Sequence, residues 1–303
     1  MRLACLQGPK FWVSAKLFIL ATGGIENARL LLLSNKVQSA GLGNQHDLVG
    51  RFFMDHAGLE SGIILLSRPN IPTDLYKYHW QKSDRPVLGE LVLSPEIIYR
   101  ERITNFCTVL KEIERWEAIE GDDFLSFLSN VLANIDDITK TVYRKFFGPR
   151  GRYPVFRLYN IVEPVPEPEN RITLTDERDS LDQNRVRLHW RFDDSAKSHI
   201  RRAQELIGRE LGRAELGRLR VLLDNDDTRW PFSLDYGYHH MGTTRMHVDP
   251  KQGVVDQNCK LHGVSNLFIA GSSVFPTYGY SQPTLTIVAL ALRLADHIKK
   301  LLR

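Results

Sequence analysis

The sequence predicts an α/β protein in which the two ends of the chain build one parallel-sheet domain around an α+β middle. Three observations carry this. Residues 16–21 and 266–270 are short apolar runs, each closed by a glycine turn, the pattern of a strand buried on both faces of a parallel sheet. Between about Ala57 and Arg229 the apolar residues instead alternate or recur at three- and four-residue spacing, as half-buried strands and amphipathic helices require. The stretch beyond Pro283 is almost continuously apolar.

Taken in order, residues 16–21 predict a strand and Thr22-Gly23-Gly24 its turn. Residues 25–34 contain strong helix formers with no Gly or Pro, which predicts a helix. Residues 41–56, rich in Gly, Asn and Asp, read as an ordered loop. Leu125, Leu128, Val131, Leu132, Ile135, Ile138 and Val142 predict an amphipathic helix. Residues 157–161, 171–175 and 185–192 read as strands. In the last of these, Val186, Leu188, Trp190 and Phe192 alternate with polar residues, predicting a half-buried antiparallel strand. A proline-rich connector, residues 163–168, separates the first two.

Ile200, Ala203, Leu206, Ile207 and Leu211 mark a second amphipathic helix. Its Arg201, Arg202, Arg209 and Arg213 interleave with Glu205, Glu210 and Glu215, the mark of a solvated face rather than a phosphate site. Residues 266–270 predict a second parallel strand. Pro283 suits the first position of the closing helix, with Ser281 or Gln282 as its cap. The first three turns of that helix are apolar almost all round, which predicts burial, and Lys299, Lys300 and Arg303 complement its C-terminal dipole.

Composition excludes several classes. Hydrophobic residues at 43% rule out a disordered tail or a collagen. A net charge of +4 over 303 residues offers no concentrated basic face for nucleic acid. No apolar run approaches the roughly 20 residues that span a bilayer, and Gln7-Gly8-Pro9-Lys10 interrupts the N-terminus too early for a secretory signal. Cys5, Cys107 and Cys259 form no CxxC pair and no disulfide framework. The expectation is a soluble cytoplasmic chain from a reducing compartment.

Residues 238–246 hold adjacent histidines in a Gly/Thr-rich stretch. A histidine there can act as a general base near neutral pH, and small neighbours let a ligand approach the backbone; the alternative is a pair of surface histidines. A metal reading would recruit His239, His240, His247 and Cys259. Adjacent residues in extended chain point to opposite sides and no ligand spacing follows, so no metal site is expected. Gly271-Ser272 closes a strand and Gln282-Pro283-Thr284 opens an apolar helix, a place where backbone N–H groups can meet a phosphate. The same pattern also describes an ordinary α/β turn followed by a core helix. The dinucleotide fingerprint GxGxxG is absent, so the chain is not a self-sufficient Rossmann protein.

In combination these segments resemble a known family. Residues 18–34 followed by residues 47–56, ending in Met54-Asp55-His56, resemble the middle of a glucose–methanol–choline (GMC) oxidoreductase. Residues 238–246, Gly253-Val-Val-Asp256, 266–275 and 283–297 resemble its C-terminal signature, in order. The resemblance implies a flavoenzyme that uses FAD to oxidise the CH–OH groups of alcohols or sugars. Family members are almost twice as long, with the FAD fingerprint in their first part. It also implies the architecture: residues 1–56 and 230–303 as a partial FAD-binding Rossmann-like domain, and residues 57–229 as an antiparallel-sheet substrate domain.

By the same resemblance, Gly23 and Gly24 lie on the FAD ribose side, Gly271 and Ser272 near the pyrophosphate, and Pro283 and Thr284 at the pyrimidine end of the flavin. His239, the first residue of His-x-x-Gly-Thr, becomes the base that takes the hydroxyl proton while hydride passes to flavin N5. Gln282 stands where the family usually has His or Asn. Its amide still donates and accepts a hydrogen bond, displaced by roughly an ångström. The implied partners are a small alcohol or sugar and an N-terminal FAD-domain fragment or electron-acceptor subunit. A truncated or split chain with no activity of its own is the alternative reading.

Overall fold

A computed structural model of the protein describes residues 1–77, 87–112, 154–192, 195–223, 230 and 234–303. In chain order the first elements are β1 (Arg2–Ala4), β2 (Lys10–Trp12), β3 (Phe18–Leu20), α1 (Gly23–Leu33), β4 (Ala57–Leu66), β5 (Leu91–Val92) and α2 (Pro95–Glu101). They are followed by β6 (Phe106–Glu112), β7 (Val155–Val162), β8 (Arg171–Arg178), β9 (Asn184–His189) and α3 (Ser195–Arg213). The chain ends with β10 (Gly217–Val221), β11 (Asp235–Tyr236), β12 (Leu267–Ile269) and α4 (Thr284–Leu301). The helix expected across residues 125–142 lies outside the described residues.

The chain divides into two compact units, the first made of Met1–Ala57, Glu163–Asp193 and Tyr236–Arg303. Its centre is the parallel pair β3–β12, in register Phe18↔Leu267 to Leu20↔Ile269. Both runs are apolar, and each ends in a turn that admits α1 or a short 3-10 turn, Ser272–Val274. Gly24, Asn27, Ala28 and Leu31 form the buried face of α1 at helical spacing. Ala28 and Leu31 join Phe53, Met54, Ile172, Met241, Phe268 and Ile269 in one core.

The sequence boundary at residue 57 places residues 163–193 with the middle of the chain, whereas they pack in the first unit. The cause is a set of long-range contacts. Ile172 is buried in that core, and its N–H donates to the Gly50 carbonyl at 2.9 Å. Arg171 pairs with Asp47 at 2.8 Å, holding that carboxyl below the usual range, and Arg29 reaches Asp179 at 2.5 Å. The antiparallel hairpin β8–β9 is thereby fastened to α1 and to the 47–53 loop.

The closing helix departs further from expectation. Pro283 is its N-cap and Thr284 its first helical residue, a shift of one position that leaves the proline ring outside the hydrogen-bonded turns. Of the residues of α4, Leu294 alone is buried, and Ile287, Leu290 and Ile298 pack beside it on the core. That stripe is one face of the helix. The other apolar residues point outward, with Leu285 81% and Leu292 64% exposed. Ile19 of β3, expected inside, is 49% exposed for the same reason: a parallel sheet of two strands lacks the layer that normally covers its other face.

The second unit comprises Gly58–Val162 and Asp194–Asp235. Its sheet runs β10–β4–β7–β6–β5, with antiparallel ladders at β10–β4, β6–β7 and β5–β6. Ile64, Leu66, Leu110, Phe156 and Leu158 fill its core. Helix α3 buries Ala196, Ile200, Ala203 and Leu206, so the face predicted from the sequence is the one that packs. A buried polar chain crosses this unit: Thr108 donates to Asn160 at 2.7 Å, and Asn160 and Gln204 both donate to Ser61.

Candidate active site

Two strand-to-turn junctions meet at the carboxyl ends of β3 and β12, the place where ligands bind open α/β sheets. Gly23 (φ +94°) and Gly271 (φ +114°) sit in these turns, and a Cβ at either would meet nothing within 4 Å. Both therefore combine a backbone angle that favours glycine with open space beside it. Asn27, fully buried, ties the turns together. Its carboxamide oxygen accepts from the Thr22 N–H (3.0 Å) and hydroxyl (2.7 Å), while its NH₂ donates to the Ser273 hydroxyl at 2.9 Å. An Asn mid-helix would ordinarily compete with helix hydrogen bonds; here its polar atoms are engaged by both turns instead.

The 239–243 segment is laid across this frame. A Cβ on Gly24 would overlap the His240 carbonyl, so Gly24 serves close backbone packing within the chain rather than an open ligand surface. The Thr243 hydroxyl donates to the Gly24 carbonyl, and the Ser272 hydroxyl donates to the His240 carbonyl at 2.6 Å. On its other side the segment pairs with residues 52–56 through the antiparallel bridge Met54↔Met241, with N–H to O distances of 3.1 and 3.0 Å. Gly242 (φ +84°) makes that approach feasible, since any Cβ there would overlap the Phe52 carbonyl.

The bridge delivers Asp55 and His56 to His239. Asp55 is buried, and its carboxyl oxygens accept the N–H groups of Tyr238 (3.1 Å) and His239 (2.8 Å). The Tyr278 hydroxyl donates to the His239 carbonyl at 2.7 Å; burial and the nearby Asp55 carboxyl raise the Tyr278 pKa, so the phenol stays protonated. His56 Nδ1 lies 3.3 Å from His239 Nδ1, and His56 Nε2 lies 3.2 Å from the Gly279 carbonyl oxygen. Gly279 (φ +71°) is fixed in turn by Glu163, whose carboxyl accepts the N–H groups of Gly279 (2.8 Å) and Tyr278 (3.2 Å).

Burial pushes the His56 imidazolium from its ordinary 6.5 down to about 4, because a desolvated ring disfavours charge. Its surroundings are the His239 ring, the Tyr278 ring at 4.0 Å between centroids and the Gly279 carbonyl. Between those two pH values the unfolded chain holds a proton on this residue that the folded chain rejects. Stability therefore rises with pH from about 4 to 6.5 and levels off above, as far as His56 governs it. Melting temperatures measured across that range are expected to show this slope in the native chain and a flatter one in His56→Asn, whose side chain does not titrate.

Of the residues singled out from the sequence, His239, Gly24, Ser272 and the Gly23 and Gly271 turns share this one frame. Gln282 and Thr284 are exposed at the entrance to α4, with buried Pro283 between them. Sequence reasoning gave no role to Asn27, Asp55, Glu163 or Tyr278, whose partners are remote in the chain. His56 was visible only as the last residue of a family-like segment. Among the described residues no group of three or more His, Cys, Asp or Glu side chains is arranged to hold a metal ion. No helix among them is long and apolar enough to cross a membrane.

Comparison with known proteins gives this geometry a context. A family model described as GMC oxidoreductase matches residues 166–291, a span that contains His239, the Gly271 turn and the start of α4. The chain is similar to GMC oxidoreductases over this span. It is 28% identical over 294 residues to the fructose dehydrogenase large subunit of Gluconobacter japonicus, covering 94% of the chain and 47% of that protein. It is 26% identical over 297 residues to 2-methyl-1,2-propanediol dehydrogenase of Mycolicibacterium austroafricanum, covering 97% of the chain and 49% of that protein. Pyridoxine 4-oxidase from Mesorbium loti, a solved structure, aligns at 18% identity with a TM-score of 0.49, over 96% of this chain and 53% of its own. The chain thus spans about half the length of the curated relatives it matches.

Proposed function

We propose that this chain supplies the C-terminal half of an FAD-dependent oxidoreductase that acts on the CH–OH groups of alcohols or sugars, with His239 as the base. The observation that carries the reading is the fastening of the His239–Thr243 segment to both turns at the carboxyl ends of β3 and β12. A proton acceptor is thereby held beside two glycine turns that a nucleotide can approach.

The residues present fit a dinucleotide. Gly23 and Gly271 leave open the space that a side chain would fill, and the N-terminus of α4 has no side-chain cap, so its first N–H groups can face an anion or a carbonyl. On this reading Gly23 belongs to the ribose side, Gly271 and Ser272 to the pyrophosphate, and Pro283 and Thr284 to the pyrimidine end, while Gly24 packs against the His240 carbonyl behind them. When bound, FAD supplies a ring system that accepts a hydride. His239 takes the substrate hydroxyl proton, and the Gln282 amide holds the same hydroxyl by a hydrogen bond. Asp55 and Tyr278 hold the His239 backbone, which keeps the ring from drifting out of reach.

A second reading has its own observation. The outward apolar residues of α4 and β3, and a parallel sheet of only two strands, favour a chain completed by an N-terminal FAD-domain polypeptide and inactive without it. Large exposed apolar patches mark such interaction sites. The test is the visible spectrum of the chain after mixing with FAD and removing the excess, alone and co-produced with a GMC N-terminal half that carries GxGxxG. Flavin bands are expected in the co-produced sample, together with turnover of an alcohol or sugar. A co-produced complex that stayed colourless would overturn the FAD reading, and bands in the lone chain would overturn the need for a partner.

A further inference from the structure

The hydrogen-bond chain around His56 has a fixed direction. A carbonyl oxygen can only accept, so the 3.2 Å contact with Gly279 requires the proton of His56 to sit on Nε2. A neutral imidazole carries one N–H, which leaves His56 Nδ1 bare. Among the described residues, the ring atom brought to that bare nitrogen is His239 Nδ1 at 3.3 Å. Two bare nitrogens facing each other would repel, so the His239 nitrogen must carry the hydrogen. We propose that His56 is a positioning residue that fixes the tautomer of His239, taking the Nδ1–H in a hydrogen bond and leaving the Nε2 lone pair free to accept a proton.

The inference deepens the reading of His239 as base and rests on it for its functional meaning. An isolated imidazole exchanges between two tautomers, of which one presents an N–H where a base needs a lone pair. Here the choice is made by a relay that begins at Glu163. Its carboxyl anchors the Tyr278 and Gly279 N–H groups, this fixes the Gly279 carbonyl, the carbonyl selects the His56 tautomer, and His56 selects that of His239. His56 stays neutral at ordinary pH, so the relay keeps its direction. A proton arriving from substrate has one vacancy, His239 Nε2, and the His239–His56 hydrogen bond survives its arrival.

The experiment is long-range proton–nitrogen correlation on the chain labelled with ¹⁵N-histidine, at a pH where the histidines are neutral. The His239 signals are assigned by their loss in His239→Gln. The expected pattern for His239 is protonated Nδ1 and bare Nε2. In His56→Leu it is expected to move toward the opposite tautomer or an exchange average. In His56→Asn, whose Oδ1 falls near the place of the lost Nδ1, the native pattern is expected to return. Protonated Nε2 in the native chain, or a pattern unmoved by His56→Leu, would overturn the proposal. The native-chain measurement decides even if a variant fails to fold.

In the flavin-loaded complex, His56→Leu is expected to lower kcat about 10- to 100-fold, the range in which outer partners of functional histidines act, with partial recovery in His56→Asn. A tautomer that switches as expected while His239 substitutions leave turnover intact would uphold the role of His56. That result would remove only the assignment of His239 as base.

Discussion

Turnover is expected to fall about 10²- to 10⁴-fold when His239 is replaced by alanine in the flavin-loaded complex, the usual contribution of a positioned general base. The flavin spectrum should be unchanged, because the ties from this segment to Ser272 and Gly24 run through the His240 carbonyl and the Thr243 hydroxyl rather than the His239 ring. Steady-state kcat at saturating alcohol is the measurement. A variant that kept full turnover would remove His239 from the mechanism, and one that lost its flavin would show that the ring has a structural role. Gln282→Ala gives the contrast. Its amide is exposed and would contribute one neutral hydrogen bond, so a loss of about tenfold at most is expected.

The largest effect on stability is expected at Gly242. Replacing it with alanine forces a side chain into the left-handed region at φ +84° and drives its Cβ into the Phe52 carbonyl and to within 2.8 Å of Met54 Cε. Backbone strain of this kind costs about 1–3 kcal/mol and the overlap adds to it, so a destabilisation of about 2–4 kcal/mol is expected. Thermal unfolding followed by circular dichroism would show a drop of about 5–15 °C. Gly212 in α3 is the control: a Cβ there meets nothing within 4 Å, and alanine should stabilise the helix by about 0.5–1 kcal/mol. Equal melting temperatures for the Gly242→Ala and native chains would mean that the Met54↔Met241 bridge is not held as described.

Much of the fold is legible locally. The apolar runs ending at Leu20 and Ile269 declare themselves as strands by length and by the glycines that follow, α1 by its unbroken run of helix formers and α3 by its spacing. The burial of α4 is not legible, because apolar residues on every side say only that a helix seeks partners, not that they are present. The membership of residues 163–193 is hidden for a related reason. It depends on Ile172 reaching Gly50 and on Arg171 reaching Asp47, contacts between residues more than a hundred positions apart. The site divides in the same way. His239 is visible because its neighbours are unusual in sequence, whereas Asp55, Glu163 and Tyr278 are ordinary residues whose meaning comes from what folding brings to them.

The joint made by Asn27 has a mechanical consequence. One side chain grips both glycine turns, and the turns grip the histidine segment through Gly24 and Ser272. Opening either jaw alone would break bonds in the other, so the three pieces translate as a single body. The spacing between the His239 segment and the Gly23 and Gly271 turns is therefore set at folding. Such a part needs little reorganisation during the reaction. Any hinge that admits substrate has to lie elsewhere in the molecule.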